Sequence, residues 1–183
     1  MAKFLIGIDA GNTSSKAVVF DEGGKMVASS STKSSERMHL APRGRGFEEF
    51  DVDELWSMVS QCIKRAIGKA GVSAEDIAGV GVTSFGNGVV FLDESGWSIA
   101  PGCFSQDYRA NDIISLYQKE GTYDKINRMV HGTLFAGEPG PILRWYKEHE
   151  RPVYDRIGSV LMFKDYLMYR LSGRFATDLN VFG

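Results

Sequence analysis

The stretch "IGIDAGNTSSKAVVFD", residues 6–21, decides how this chain is read. Two short runs rich in Val, Ile and Phe, "KFLIGI" and "SKAVVFD", bracket a turn of glycine, asparagine and small hydroxyl residues. Apolar runs of that length around such a turn predict an antiparallel hairpin. A second turn signal, "DEGG" at 21–24, and a further run, "KMVASS", extend it to a three-stranded meander.

The same turn carries chemistry. A glycine-containing hairpin turn directs backbone N–H groups to one side and forms an anion-binding concavity. Thr13, Ser14 and Ser15 add hydroxyl donors and Lys16 a positive charge, which suits phosphate. Asp9 does not suit a bare phosphate, because like charges repel strongly at close range. The conflict disappears if a hydrated Mg²⁺ lies between them, since that ion keeps several waters and takes one or two carboxylates. The alternative is a plain turn in which Asp9 bonds its own backbone. The glycine, lysine and hydroxyl string of a Walker loop is absent, and "GVGVTSFG" has Ser84 where a dinucleotide fingerprint needs its third glycine.

Composition fits one soluble globular domain: 183 residues, 43% hydrophobic, 24% charged, net charge −2. That balance argues against nucleic acid as a partner, which needs a clustered cationic face. Arg37, Arg43 and Arg45 form one basic knot and read as a solvated loop. Cys62 and Cys103 are too few for a disulfide framework or a zinc site and read as buried thiols. The start "MAKFLIGIDAG" lacks a signal-peptide pattern and no apolar run reaches membrane-spanning length, so a cytoplasmic protein without membrane contact is expected. His39, His131 and His149 show no metal-ligand spacing.

Further along, residues 31–50 read as loop. Asp51 reads as an N-cap with Glu54 in capping-box spacing, ahead of Leu55, Trp56, Val59, Ile63, Ala66, Ile67 and Ala70 at helical period, and Gly71 closes that helix. "DIAGVGVTSF" predicts a strand; "VVFLD", "ESGW" and "SIAPG" predict a hairpin. Helices follow over "YRANDIISLYQKEG", "YDKINRMV" and "PILRWYKEHE", with Pro139 and Pro141 in the first turn of the last. "SVLMF" predicts a buried strand and "KDYLMYRLSG" a helix ending at Gly173. The final "RFATDLNVFG" reads as strand or turn. The order predicts an α/β domain with a mixed sheet.

"GIDAGNTSSKAVVFD" resembles the first phosphate motif of the sugar kinase, heat-shock ATPase and actin superfamily. "GFEEFDVDELW", "IAGVGVTSFGNGVVFLDESG", "APGCFSQDYRA" and "ILRWYKEHERPVYDRIGSVLMFKDYLMYRLSGRFATD" follow in the order found in the FGGY family of carbohydrate kinases. The whole chain therefore resembles the N-terminal part of that family. The resemblance implies a ribonuclease H-like, actin-type fold, with ATP and Mg²⁺ as cofactors and a small-molecule sugar as substrate. "GVTSFGNGVVFLD", "SQDYRA" and "GTLFAGEPGPILRWYKEHE" look most similar to the L-xylulose kinases, which implies a ketopentose such as L-xylulose. D-xylulose, D-ribulose, a tetritol and glycerol are the alternatives, as is a non-catalytic sugar-binding module of the same fold. Ser105 departs from the family, where tryptophan is common at that position, and Asn12 stands where threonine is frequent.

Carried over by resemblance, Asp9 would organise Mg²⁺ through its waters, and Gly11, Asn12, Thr13, Ser14 and Lys16 would approach the transferred phosphate. Phe85, Gly86 and Asn87 would line the sugar site, although "FGNG" reads equally as a hairpin turn. Asp107 and Arg109 would approach the sugar, with Asp107 alternatively capping the next helix. Asp165 reads as a helix cap, and Trp145 and Tyr146 as packing residues. In relatives the aspartate that serves as general base, the second phosphate motif and the adenine pocket lie further on. Residues 1–183 are thus expected to be an N-terminal domain that is incomplete for catalysis and inactive alone. Relatives are often dimers, which makes a homodimer an expectation.

Overall fold

The computed structural model describes residues 3–34 and 38–178. The meander forms as predicted: β1 (Phe4–Ala10) pairs antiparallel with β2 (Ser14–Phe20), and β2 with β3 (Met26–Lys33). Asp21 builds the second turn by accepting from the N–H groups of Gly23 and Lys25, both at 2.9 Å, while Gly24 takes the left-handed φ of 79°.

Helix α1 (Val52–Ala70) begins where Asp51 accepts from the Glu54 N–H at 2.8 Å and ends at Gly71, whose φ of 67° is the left-handed cap. One face of the meander lies beneath it: Ile6, Ala17 and Val19 meet Cys62 and Ala66, and Ile8 and Ala10 join Leu55, Met58 and Val59. After α1, β5 (Ile77–Ser84) returns parallel to β1, giving a mixed sheet in the order β3-β2-β1-β5.

A second, antiparallel sheet departs from the single sheet expected. It orders β4 (Glu49–Phe50), β7 (Gly102–Cys103), β6 (Val89–Leu92) and β8 (Ser159–Met162) as β4-β7-β6-β8. The stretch read as loop over 31–50 thus supplies the end of β3 and all of β4. The predicted hairpin after β6 closes through Asp93 N–H to Trp97 O and Ile99 N–H to Phe91 O, but the regular ladders of β6 run to β7 and β8.

Helices α2 (Asn111–Lys119), α3 (Thr122–Val130), α4 (Pro139–His149), α5 (Arg151–Tyr154) and α6 (Phe163–Ser172) complete the domain. Pro139 opens α4 and Gly173 closes α6, as the sequence predicts. Phe91, Cys103, Ile113, Ile142 and Tyr146 form the core between the second sheet and α2 and α4. Both cysteines are buried. Trp145 and Tyr146 are packing residues, edge to face at 5.4 Å. Arg45 is exposed, Arg43 is ion-paired, and Arg37 lies outside the described residues. Residues 174–178 belong to no helix or strand; the rest of "RFATDLNVFG" lies outside the described residues. Among the described residues no helix is long and apolar enough to cross a membrane.

Candidate active site

The β1–β2 turn is tied down by its own backbone. Gly11 N–H donates to Ser14 O at 2.8 Å, and Ser34, just past β3, donates from N–H to Thr13 O at 2.9 Å and from its hydroxyl to Asn12 O at 2.7 Å. Strand alternation then sorts the side chains of β2. Ser14, Lys16, Val18 and Phe20 point away from α1, while Ser15, Ala17 and Val19 point under it. Ser15 is therefore removed from the group of hydroxyls expected around a phosphate: it is buried, and its Oγ has no partner. Thr13 and Ser14 remain exposed at the turn.

Asp9 is exposed on β1, directly opposite Lys16 on β2 and beside Thr83 on β5. Those three, with Gly7, Gly81 and Phe20, line an open hollow of about 420 Å³. Among the described residues no hydrogen bond or ion pair engages the Asp9 carboxylate, so it does not act as the plain turn-former that bonds its own backbone. The amide oxygen of Asn12, by contrast, is buried in the turn without a donor. An exposed carboxylate and ammonium on one face, beside the turn hydroxyls, fit a magnesium–nucleotide phosphate, because a carboxylate open to solvent can hold that ion through its waters.

Thr83 also begins the wall of a second pocket, about 200 Å³, continued by Phe85, Gly86, Asn87, Met162 and Lys164. Here "FGNG" is both turn and wall. Asn87 adopts a φ of 60°, the left-handed conformation that asparagine tolerates. Gly88 must lack a side chain, since a Cβ would come within 2.6 Å of the Phe85 ring. That ring packs inward at 4.1 Å from Phe163 and 5.6 Å from Phe104, so Phe85 is anchored as well as pocket-lining. Lys164 is paired with Asp178, which holds the ammonium above its ordinary pKa, and lies 3.6 Å from Asp165 Oδ1. Sequence reasoning assigned no role to Lys164 or Thr83, although both lie in quoted motifs, because neither forms a motif by spacing.

Asp107 and Arg109, expected near the sugar, line neither of these two hollows. Their side chains are 0% and 1% exposed and bind each other, Arg109 Nη2 to Asp107 Oδ2 at 2.6 Å. Asp107 also accepts from the N–H groups of Glu48 at 2.8 Å and Arg109 at 3.0 Å. It thus closes a turn before α2, whose N-cap Ala110 receives no side-chain cap. Arg109 further donates to Glu49 at 2.8 Å and lies 4.0 Å over the Phe47 ring. Arg43 holds Glu49 from the other side, at 2.8 Å, and reaches Glu150 at 2.9 Å. Burial alone would lower the Arg109 pKa and raise that of Glu49. The hydrogen bonds outweigh it, with Asp107 keeping Arg109 charged and Arg43 and Arg109 holding Glu49 below the usual carboxylate value. The network pins β4, the segment after β7 and α4, and contacts neither pocket.

The segment after β7 is also fixed at Gly137, where a methyl group would overlap the Ser105 carbonyl oxygen. Asp165 is buried in the first turn of α6 with Oδ2 unpartnered, and the helix's N-cap, Met162, makes no side-chain cap bond, so the cap reading of Asp165 fails. His39 stacks on Phe104 and His149 on Trp145. Among the described residues no cluster of three or more His, Cys, Asp or Glu could hold a metal ion.

Comparison with known proteins identifies the family and the fold. Over 93% of its length the chain is 36% identical to a probable L-xylulose kinase of Pasteurella multocida, covering 34% of that protein. It is 33% identical over 94% of its length to the L-xylulose/3-keto-L-gulonate kinase of Escherichia coli (34% of that protein), and 34% identical over 96% to an autoinducer-2 kinase of Salmonella paratyphi A (33%). The chain thus spans about a third of the length of the curated relatives it matches. Crystal structures of a gluconate kinase from Lactobacillus acidophilus (24% identity, TM-score 0.87, 99% of this chain and 35% of that one) and a xylulose kinase from Rhodospirillum rubrum (24%, 0.85, 98% and 36%) share its fold. Residues 4–182 match the N-terminal domain of the FGGY family of carbohydrate kinases, and the chain belongs to that family.

Proposed function

We propose that this domain is the sugar-binding and phosphate-binding part of an ATP-dependent carbohydrate kinase acting in the cytoplasm on a ketopentose such as L-xylulose. The observation that carries this reading is the placement of Asp9 and Lys16 side by side over one hollow, next to the pocket walled by Phe85–Asn87. In the reaction a sugar hydroxyl oxygen forms a bond to the γ-phosphorus and the bond to the β-phosphate bridging oxygen breaks. ADP leaves, and the hydroxyl proton passes to a carboxylate base supplied from beyond this domain. Such transfer depends mainly on positioning and charge stabilisation. Mg²⁺ held through water at Asp9 would neutralise phosphate charge there; Lys16 and the turn formed by Gly11, Asn12, Thr13 and Ser14 would hold the phosphate oxygens. Asn87 would bond a sugar hydroxyl, and Gly86 would leave room for the carbon chain.

Asp107 and Arg109 would serve as the scaffold that ties β4, the segment after β7 and α4 together. The names of two relatives favour L-xylulose, and one of these adds a sugar acid, 3-keto-L-gulonate. The test is ADP release with Mg-ATP and L-xylulose, D-xylulose, D-ribulose, 3-keto-L-gulonate or glycerol, measured on the 183-residue chain and on the complete gene product. The complete product should release ADP with a ketopentose and lose this in Asp9→Asn, while the 183 residues alone stay silent. Sugar-independent release, or none from the complete product, would overturn the reading.

A further inference from the structure

Thr83 is common to the two hollows described above: it closes the one beside Asp9 and Lys16 and opens the one beside Phe85, Gly86 and Asn87. The sheet register sets this position. Lys16 stands opposite Asp9, and Asp9 stands beside Thr83, so the three residues form one row across β2, β1 and β5. Thr83 is exposed, whereas its neighbour Val82 packs against the core, so its side chain lies on the face that carries Asp9. Nothing crowds it: Gly81, two residues earlier on the same face, would meet no atom within 4 Å even with a methyl group added. Among the described residues the Thr83 hydroxyl makes no hydrogen bond.

We infer that Thr83 is a substrate-contacting residue whose hydroxyl holds the acceptor hydroxyl of the sugar at the border between the sugar pocket and the phosphate cradle. This rests on the carbohydrate kinase reading and adds to it a residue that the motifs did not single out. A phosphoryl group can pass between the hollows only where acceptor oxygen and phosphorus are held close and in line. Thr83 stands at that junction, with a hydroxyl that both donates and accepts. A β-branched residue is also an ordinary strand former, which predicts no role for the oxygen.

Two variants of the complete gene product separate these roles. Thr83→Val keeps the branched shape and removes the hydroxyl; Thr83→Ser keeps the hydroxyl and removes the methyl. Sugar binding is measured by titration calorimetry without nucleotide, kcat/KM for the sugar and KM for ATP by ADP release, and folding by the melting temperature without ligand. Thr83→Val should weaken sugar binding and kcat/KM about tenfold, the scale of one hydrogen bond, with KM for ATP and the melting temperature unchanged. Thr83→Ser should stay within about threefold of the parent, as expected when the bond is kept. A loss in Thr83→Ser beside a Thr83→Val protein that matches the parent would assign the effect to methyl packing and overturn the inference, as would a loss in Thr83→Ser as large as that in Thr83→Val. A parent protein that neither binds nor phosphorylates any sugar of the panel would instead overturn the kinase reading beneath it.

Discussion

Arg109 and Asp107 form an ion pair with 1% and 0% of their side chains exposed, two residues apart in sequence and closed at 2.6 Å. Glu49 shares the same guanidinium at 2.8 Å. Two buried carboxylates therefore depend on one buried cation, with Arg43 assisting Glu49 from the surface. Charges withdrawn from water persist only when paired and hydrogen-bonded.

Removing the cation should therefore cost far more than removing a surface one. Arg109→Met leaves Asp107 and Glu49 with too little positive charge, and a loss of about 3–5 kcal/mol is expected. Arg144→Met removes a partly exposed i,i+4 pair with Glu148 and should cost less than about 1 kcal/mol. Urea unfolding of both variants checks the contrast. Similar midpoints would mean that the network is not what holds β4 to α4.

The same network sets a direction for acid sensitivity. The Glu49 pKa lies below its ordinary 4.5 in the folded chain, because its guanidinium partners outweigh burial. The unfolded chain therefore takes up this proton first. Stability from Glu49 is complete above 4.5 and is lost as pH falls through the depressed folded value. Glu138, raised by burial, works in the opposite direction. Denaturation midpoints measured across acid pH should fall more gently in Glu49→Gln than in the parent; parallel curves would remove Glu49 as the cause.

Both thiols should be silent in the folded protein. Burial pushes Cys103 up to about 12, and the thiolate is the reactive form. Cys62 is buried and donates to Ser30 O at 3.3 Å. A disulfide reagent added to the native chain should release almost no chromophore, and two equivalents after denaturation. Rapid reaction of one equivalent in the native state would contradict this burial.

The first sheet and α1 were legible because their signals are local: Gly11 and Gly24 in turns, Asp51 and Gly71 at the helix ends, apolar residues at fixed period. The second sheet was not. Two of its strands, Glu49–Phe50 and Gly102–Cys103, are two residues long and carry no period to read; they exist because distant segments pair. Arg109 shows the same limit within the site. Its partners Tyr146 and Glu49 lie 37 and 60 residues away, so no local pattern announces the network that they build. Asp9 and Lys16 were readable because a tight hairpin puts neighbours in sequence opposite each other in space.

Two glycine-to-alanine changes should have opposite signs, and the reason is what each methyl group would meet. Gly68 lies on the exposed side of α1 with nothing within 4 Å of an added Cβ. Alanine there avoids the entropy that glycine loses in a helix and should add about 0.5–1 kcal/mol. At Gly137 the methyl group would overlap the Ser105 carbonyl oxygen and come within 3.0 Å of the Asp107 carbonyl oxygen. Both obstacles are backbone, and the network around Arg109 fixes that backbone, so neither can swing aside as a side-chain tip can. Gly137→Ala should therefore lose about 1–3 kcal/mol, the usual range for overpacking. Melting temperatures above the parent for Gly68→Ala and below it for Gly137→Ala are the expected pair. A neutral Gly137→Ala would mean that the 105–107 segment yields, and that the network around Arg109 does not hold its backbone in place.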